Sequence, residues 1–237
     1  MPDAAVLIVG AIAVLFGGVV HATIGFGFAM VAVPIIALVE PMAVPATLLL
    51  LSIPVNLFML TGEREVDRGG AIRLSVGKAL GTVIAAWLLV QVPTDRIGVV
   101  FGASLLAAAI AAGVLPSVKV TATREVVVGT LAGVMGATTA VGGPLLGVLY
   151  SSRDGRVLRS TLAVVFLAGL AMALAAQVLI GRLMGWHLLY AVLLLPALAL
   201  GLAAGRKLQP LVDTGFLRRT VLVVAGAAGL YTIVSFI

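Results

Sequence analysis

Cysteine is absent from this 237-residue sequence, and histidine occurs only at His21 and His187. Without cysteine there can be no disulfides and no thiolate metal sites, and two histidines are too few for a histidine-rich metal centre. The sequence also lacks an ATP-binding phosphate loop, so it encodes no direct use of ATP. We therefore expect a protein without a metal, a cofactor or a catalytic centre.

Charged residues are scarce as well. They make up only 10% of the chain, whereas a soluble domain carries about 25%. Apolar residues account for 62%, with a mean hydropathy of +1.26, and a soluble globule of this composition would aggregate. The net charge of +6 comes from cations in short gaps between apolar runs, which is typical of multi-spanning membrane proteins. We expect contact with the lipid bilayer of the cytoplasmic (inner) membrane and none with nucleic acid.

Eight apolar segments, continuous and rich in Leu and Ala, predict an all-α polytopic membrane protein. Helices are favoured because they satisfy their own backbone hydrogen bonds in lipid. The segments are residues 4–38, 43–61, 71–91, 97–113, 126–150, 158–180, 186–205 and 216–236.

Two of these segments differ from a simple membrane span. Residues 4–38 would form a helix of about 52 Å, and residues 126–150 one of about 38 Å, whereas one crossing takes about 30 Å. Each contains a break rich in small residues, HATIGFG at 21–27 and GATTAVGGP at 136–144. Each is therefore either an interrupted span or a re-entrant helical hairpin.

The two breaks resemble each other. At an offset of 115 residues, five of eleven positions are identical between 17–27 and 132–142, and three ordinary spans follow each break. The sequence therefore predicts two membrane repeats, residues 1–115 and residues 116–237, within one membrane domain. Many secondary transporters are built from duplicated halves.

The distribution of Lys and Arg favours hairpins. If residues 126–150 crossed the membrane, the 15 cations would divide seven to eight between the two sides. If they return to their own side, 13 lie on one side and only Arg96 and Arg182 on the other, as the positive-inside rule requires. We therefore expect the loop at 62–70 in the cytoplasm and a second repeat that is inverted relative to the first. By symmetry, the first break is a hairpin that enters from outside.

The breaks form the predicted binding site. The second arm of a hairpin begins at its tip, so unpaired N–H groups and the positive end of a helix dipole point into the membrane. Two opposed tips would form an anion site, with glycine allowing close approach and hydroxyls adding donors. The predicted substrate-binding residues are His21, Thr23, Gly25, Gly27, Asn56, Thr138, Thr139, Gly142 and Gly143.

These residues also have structural interpretations. The breaks could serve only tight helix packing, and His21 is either a donor or proton carrier for transport or a partnered structural histidine. Asn56 and Gln177 are alternatively interhelical hydrogen-bonding residues. Lys78 is expected to reach the cytoplasmic interface as an anchor, and His187 to lie at an interface.

The positions of acidic residues and of glycines give two further indications. All nine acids lie in loops or at segment ends, which argues against a cation pump. Glycine pairs four residues apart are expected to pack helices together. These pairs are Gly77/Gly81, Gly98/Gly102, Gly129/Gly133 and Gly201/Gly205.

The broken segments are similar to those of a known family. GFGFAMVAVP at 25–34 and GGP at 142–144 resemble motifs of the TauE/SafE sulfite/organosulfonate exporter family, also called the sulfonate uptake permease family. The resemblance extends over nearly the whole chain. It implies transport of a small sulfur-containing anion, such as sulfite, a sulfonate or sulfoacetate.

The favoured function is a secondary transporter that binds a small anion between the two tips. The alternative is a passive anion channel or a membrane subunit of a larger complex. An enzyme is not expected, because the spans contain no set of acid, nucleophile or metal ligands. The sequence leaves open a homodimer and a coupling ion, either a proton or sodium.

Overall fold

The computed structural model describes residues 3–61, 65–92, 97–114, 119–211 and 214–235. Within these ranges the protein has ten α-helices, a 3-10 turn at Pro41–Ala43 and no strand, which confirms the all-α prediction. The helices are α1 (Ala4–Ile24), α2 (Phe28–Val39), α3 (Ala46–Leu60), α4 (Arg68–Gln91), α5 (Ile97–Val114), α6 (Ala122–Thr139), α7 (Gly143–Leu149), α8 (Gly155–Leu179), α9 (Gly185–Leu208) and α10 (Thr214–Ser235).

Short polar side chains determine where several helices begin. Asp3, Asp67, Thr121 and Asp154 each accept a hydrogen bond from a backbone N–H in the first turn of the helix that follows. Such a cap stabilises a helix by about 1 kcal/mol, since these N–H groups have no acceptor within the helix. The caps therefore start α4 and α6 a few residues before the apolar segments that predicted them.

Four helices are long and apolar enough to cross a membrane, judged by length and composition of the described residues: α1, α4, α8 and α9. Large apolar side chains cover their outer faces. Val83 and Trp87 on α4 and Leu200 on α9 are each more than 60% exposed. Lipid is the solvent that suits such a surface.

The first broken segment is a helical hairpin. Gly25 and Gly27 have φ angles of +93° and +104°, in the left-handed region that glycine adopts without strain. They end α1 and reverse the chain, so that α2 packs back along α1. The carbonyl oxygen of Phe28 lies so close to Gly17 that a Cβ there would be 2.9 Å from it. The prediction of a hairpin is confirmed for this segment.

The second broken segment folds back in the same way. Ala140, which aligns with Gly25 at the offset of 115, has a φ of +62°, and α7 packs against α6. A Cβ on Gly142 would lie 2.5 Å from the carbonyl oxygen of Ala132, ten residues back along the chain. The inner arm of this hairpin is shorter, with seven residues in α7 against 12 in α2.

Three connections lie together at one end of the molecule, which we call the loop end. Arg153, after α7, has its Nη2 3.8 Å from Oδ2 of Asp67, just before α4. Arg206, near the end of α9, donates to Oγ1 of Thr61, after α3, at 3.1 Å. An interrupted span would have placed Arg153 and Asp67 at opposite ends, so the second segment must return to the end from which it starts.

The start of α1 and the residues around α2's end lie at the opposite end. Tyr190 on α9 donates its hydroxyl to the carbonyl of Val6 at 3.1 Å, and Nε2 of His187 lies 2.9 Å from the carbonyl of Met42. Nδ1 of His187 accepts from the backbone N–H of Met184, so Nε2 carries the proton and donates. His187 lies in the first turn of α9, at the end of a span as predicted, but its side chain is buried and both ring nitrogens have partners.

Glycine pairs bring the long helices together, as predicted. Gly77 and Gly81 of α4 face the backbone of α6 beside Gly129 and Gly133. Their counterparts on α9 face the backbone of α1, and Gly102 of α5 faces α10 at Gly229. Close approach of helix backbones supplies the van der Waals contact that holds membrane helices together. The glycine pair on α9 is Gly201/Gly205. The surroundings of Gly98 are not among those that the structure describes.

Candidate functional site

A cavity of about 60 Å³ lies where the two hairpin tips meet. The tips are in contact, since a Cβ on Gly143 would lie 3.1 Å from Cβ of Phe26. One enclosed water needs about 10–15 Å³ by this measure, so the space holds a guest of about four to six heavy atoms. The polar side chains in its wall come from α1, α3 and α4 and are His21, Ser52, Asn56, Lys78 and Thr82.

The start of α2 forms one wall of the cavity. Residues 27–30 line it, and no described side chain caps this helix. The N–H groups of the first helical turn have no acceptor within the helix and give it a partial positive charge. The second tip contributes Gly142, Gly143 and Pro144 to the facing wall.

Lys78 places a full positive charge in the cavity wall. It lies mid-way along α4, and only 6% of the residue is exposed. Its ammonium lies 4.9 Å from the ring centroid of Phe166 and forms no ion pair with any described carboxylate. The expectation that Lys78 anchors the helix at the interface was wrong, because the side chain points into the protein.

Two further polar groups of the wall lack partners. Neither ring nitrogen of His21 has a hydrogen-bond partner among the described residues, and the same holds for Oδ1 of Asn56. Both side chains are buried, at 5% and 2% exposed. Buried polar atoms are normally hydrogen-bonded, and each orphan of this kind costs about 1–3 kcal/mol. Their convergence on one cavity indicates that a ligand or water completes them.

A comparison of the sequence with protein-family models identifies the family of this chain. The family described as Sulfite exporter TauE/SafE matches residues 10–232, which is nearly the whole chain. The chain belongs to the TauE/SafE family. The resemblance noted in the sequence is therefore confirmed. No curated protein and no solved structure matches the chain.

Membership of the TauE/SafE family fixes the general class of function. The family consists of transporters of sulfur-containing anions and not of enzymes. Together with four helices long enough to span a bilayer, it identifies a multi-pass membrane protein with a small anionic substrate.

Five of the nine predicted site residues line the cavity of this TauE/SafE protein: His21, Gly27, Asn56, Gly142 and Gly143. The other four lie elsewhere. The hydroxyl of Thr23 donates to the carbonyls of Val19 and Gly205, and those of Thr138 and Thr139 donate to carbonyls of their own helix. Gly25 packs against Arg159.

Sequence reasoning missed most residues of the wall, among them Lys78 and Phe166. Lys78 is the cation that lies deepest in any predicted span, seven residues from the start of its segment, and this depth was the available signal. No comparable signal singles out Phe166 among the eight phenylalanines. Gln177, in contrast, behaves as expected, since its Nε2 donates to the carbonyl of Ala137 at 3.2 Å and joins α8 to α6.

Proposed function

We propose that this protein is a secondary transporter that carries a small sulfur-containing anion, of the sulfite, sulfonate or sulfoacetate type, across the cytoplasmic membrane. The anion binds in the cavity between the hairpin tips. The observation that carries this proposal is the buried ammonium of Lys78, which has no described carboxylate partner.

A buried charge without a counter-ion is expensive. Removing an ammonium from water costs several kcal/mol unless an opposite charge or good hydrogen bonds replace the water. The ring of Phe166 offsets part of this cost for Lys78, since a desolvated cation–π contact contributes about 2 kcal/mol. An anion in the cavity would offset the remainder, so the cavity favours a negatively charged guest.

Hydrogen-bond donors around the cavity support an oxyanion. The first turn of α2 offers backbone N–H groups, and a neutral His21 carries one N–H whichever tautomer it adopts. Charge-assisted hydrogen bonds of this kind contribute about 1.5–3 kcal/mol each. Several oxygen atoms on one small group can use these donors together with Lys78.

The size of the cavity limits the guest. Sulfite and the sulfonate head group each have one sulfur and three oxygens, which fits a space of about 60 Å³. The rings of Phe26, Phe28 and Phe166 and the side chain of Met30 also line it. These apolar walls suit a short carbon substituent, while a long chain would not fit.

Transport follows from movement of two halves around this site. Helices α1–α5 and α6–α10 form the proposed repeats, residues 1–115 and 116–237, each a hairpin followed by three helices. Their packing supports this division: α1 packs on α9 as α6 packs on α4, and α2 on α10 as α7 on α5. The hairpins start at opposite ends of the molecule, which supports an inverted repeat. Rocking of such halves exposes a central site to each side in turn.

Ligand binding to the purified protein tests the site. Sulfite, sulfoacetate, sulfate and acetate are added separately, and thermal unfolding in detergent is followed, because a ligand that binds the native state raises Tm by mass action. We expect a shift with sulfite, which has four heavy atoms, and a smaller one with sulfoacetate, whose eight exceed the four to six that the cavity holds. Lys78→Met should lower the affinity at least about tenfold, while the ligand-free protein keeps or gains stability, because an unpaired buried charge is removed.

Lys207→Met is the matched control, since Lys207 is exposed near the end of α9. It should leave the ligand-induced shift unchanged. A Lys78→Met protein that binds as tightly as the parent would refute the proposed site. Flux into proteoliposomes then separates the classes of function: a secondary transporter accumulates the anion against its gradient when a proton or sodium gradient drives it, whereas a channel only equilibrates it.

A further inference from the structure

A polar cluster lies at the loop end of the protein and joins three separate parts of the chain. We define this loop-end cluster as Asp67, Arg73, Glu125, Tyr150 and Arg153. The hydroxyl of Tyr150 lies 2.6 Å from Oε1 of Glu125 and 3.2 Å from Oδ2 of Asp67. Arg73 forms an ion pair with Oε2 of Glu125, and Arg153 lies 3.8 Å from Oδ2 of Asp67.

Glu125 is the buried centre of the loop-end cluster. It lies in the first turn of α6 and is fully buried, whereas the side chain of Arg73 is 41% exposed. The acids were expected in loops or at segment ends. The position of Glu125 agrees with that expectation, but its burial was not foreseen. A buried carboxylate that keeps only part of its donors is strongly destabilising.

Along the helices that line the cavity, the loop-end cluster lies on the side of the cavity that faces the loop end. On α4, Arg73 precedes the cavity residue Lys78 by five residues, and on α6, Glu125 precedes Gly133 by eight. At 1.5 Å per residue these separations are about 8 and 12 Å along the helices. Tyr150 follows the cavity residue Pro144 by six residues. An anion that leaves the cavity along these helices towards the loop end would therefore pass the cluster.

A layer of apolar side chains separates the loop-end cluster from the cavity. Leu74 on α4, Leu146 on α7 and Leu162 on α8 are completely buried and pack in one group with Tyr150 and Phe166. Tyr150 belongs to the cluster and Phe166 to the cavity wall, so this layer fills the space from one to the other. Water and ions are excluded from such a layer while the helices stay together.

We propose that the loop-end cluster is the gate that closes the cavity towards this end of the molecule. It ties the second hairpin, through Glu125 and Tyr150, to α4 and the residues before it, through Arg73 and Asp67. This inference rests on the proposed function, in which the hairpin and α4 belong to different halves. Release of the anion at the loop end then requires these hydrogen bonds to break.

Different contacts hold the helices together at the opposite end. Tyr190 donates to the carbonyl of Val6 at 3.1 Å, and His187 to that of Met42 at 2.9 Å. These are hydrogen bonds without a carboxylate. A change in the loop-end cluster should therefore alter access from one end only, and a tyrosine variant at each end provides a matched pair.

Accessibility of an engineered cysteine tests the gate without measuring transport. The protein has no cysteine of its own, so Thr82→Cys in the cavity wall provides a single reporter thiol. The thiol is labelled with methanethiosulfonate ethylsulfonate, which does not cross membranes, in vesicles of each orientation. An exposed Ser152→Cys protein identifies which orientation presents the loop end.

Tyr150→Phe should raise the labelling rate from the loop end about tenfold, since it removes a hydrogen bond to a buried carboxylate. Labelling from the opposite end should stay unchanged. Tyr190→Phe should leave labelling from the loop end at the parent rate. Equal rates in Tyr150→Phe and the parent, or an equal rise from both ends, would overturn the gate. If Tyr150→Phe does not fold, Glu125→Gln carries the same expectation. Because the reporter is labelled whether or not sulfite is carried, the gate and the proposed function can fail separately.

Discussion

Polar side chains in the interior of this protein fall into two groups. The hydroxyls of Thr23, Thr138 and Thr139 are all engaged with backbone carbonyls, so they have little left to offer a ligand. The ring of His21 and the ammonium of Lys78 are buried without such partners. Unused hydrogen-bonding capacity together with a place in the cavity wall, rather than polarity alone, distinguishes the candidate ligands of the anion.

This difference predicts contrasting effects of two substitutions at the hairpins. His21→Phe keeps an aromatic ring beside Phe166 and removes only the orphaned nitrogens. We expect about a tenfold loss of sulfite affinity, since a charge-assisted hydrogen bond is lost, and no loss of stability. Thr138→Val should change sulfite affinity less than about twofold, since its hydroxyl serves its own helix.

Sulfite titrations followed by thermal unfolding measure both variants. Equal effects of His21→Phe and Thr138→Val on affinity would contradict the distinction between engaged and orphaned groups.

The sequence predicted which segments carry the site, but not which of their side chains face it. Residue types and spacing placed Thr23 and Thr138 in the breaks, yet a threonine in a helix can donate to the carbonyl four residues earlier, and both do. Lys78 could have extended towards the interface or inward, because the helical periodicity of a largely apolar segment does not mark its inner face. The packing of α8 against α4, which brings Phe166 beneath Lys78, decides this.

At the scale of the elements, the contact between α4 and α6 depends on the absence of side chains. A Cβ on Gly77 would lie 2.9 Å from the backbone nitrogen of Thr130 and even closer to the carbonyl of Val126. Backbone atoms cannot move aside as a flexible side chain can. The helices must therefore separate to admit even a methyl group.

Gly77→Ala should destabilise the protein by about 1–3 kcal/mol, the usual cost of overpacking, and lower its Tm by several degrees. Gly113→Ala on α5 is the control, because a Cβ there meets nothing within 4 Å and alanine favours a helix by about 1 kcal/mol. Thermal unfolding in detergent compares the two. A Gly77→Ala protein as stable as Gly113→Ala would contradict the close contact of α4 and α6.

Helix positions were largely predictable, because continuous apolar runs of about 20 residues leave few alternatives in lipid. The helix starts differ by a few residues where caps such as Asp67 and Thr121 extend the helix into polar sequence. The hairpins were predictable only through the cations, since the apolar sequence alone fits both a hairpin and an interrupted span. The burial of Glu125 was not predictable, because it depends on Arg73 and Tyr150 from distant parts of the chain.

At the scale of the whole molecule, the proposed topology assigns each end to one side of the membrane. The loop end carries the connection at Ser152, which is exposed, and the opposite end carries Met184, which is 51% exposed. From the positive-inside rule we expect the loop end to face the cytoplasm.

Single cysteines test this topology in the cysteine-free chain. In intact cells, an impermeant maleimide should label Met184→Cys and should not label Ser152→Cys until the membrane is opened. Labelling of Ser152→Cys in intact cells would reverse the assignment, and labelling of both would contradict the arrangement of the two ends.

The two hairpins are unequal, with 12 residues in α2 and seven in α7, and among the described residues a buried carboxylate, Glu125, lies only at the loop end. A carrier with unequal closures does not divide its resting time evenly between its two orientations. Solute arriving from the side that is open less often meets fewer receptive molecules, and its half-saturation concentration rises in proportion. Flux measured from the two faces of the bilayer should therefore level off at different concentrations, even when no energy source is applied.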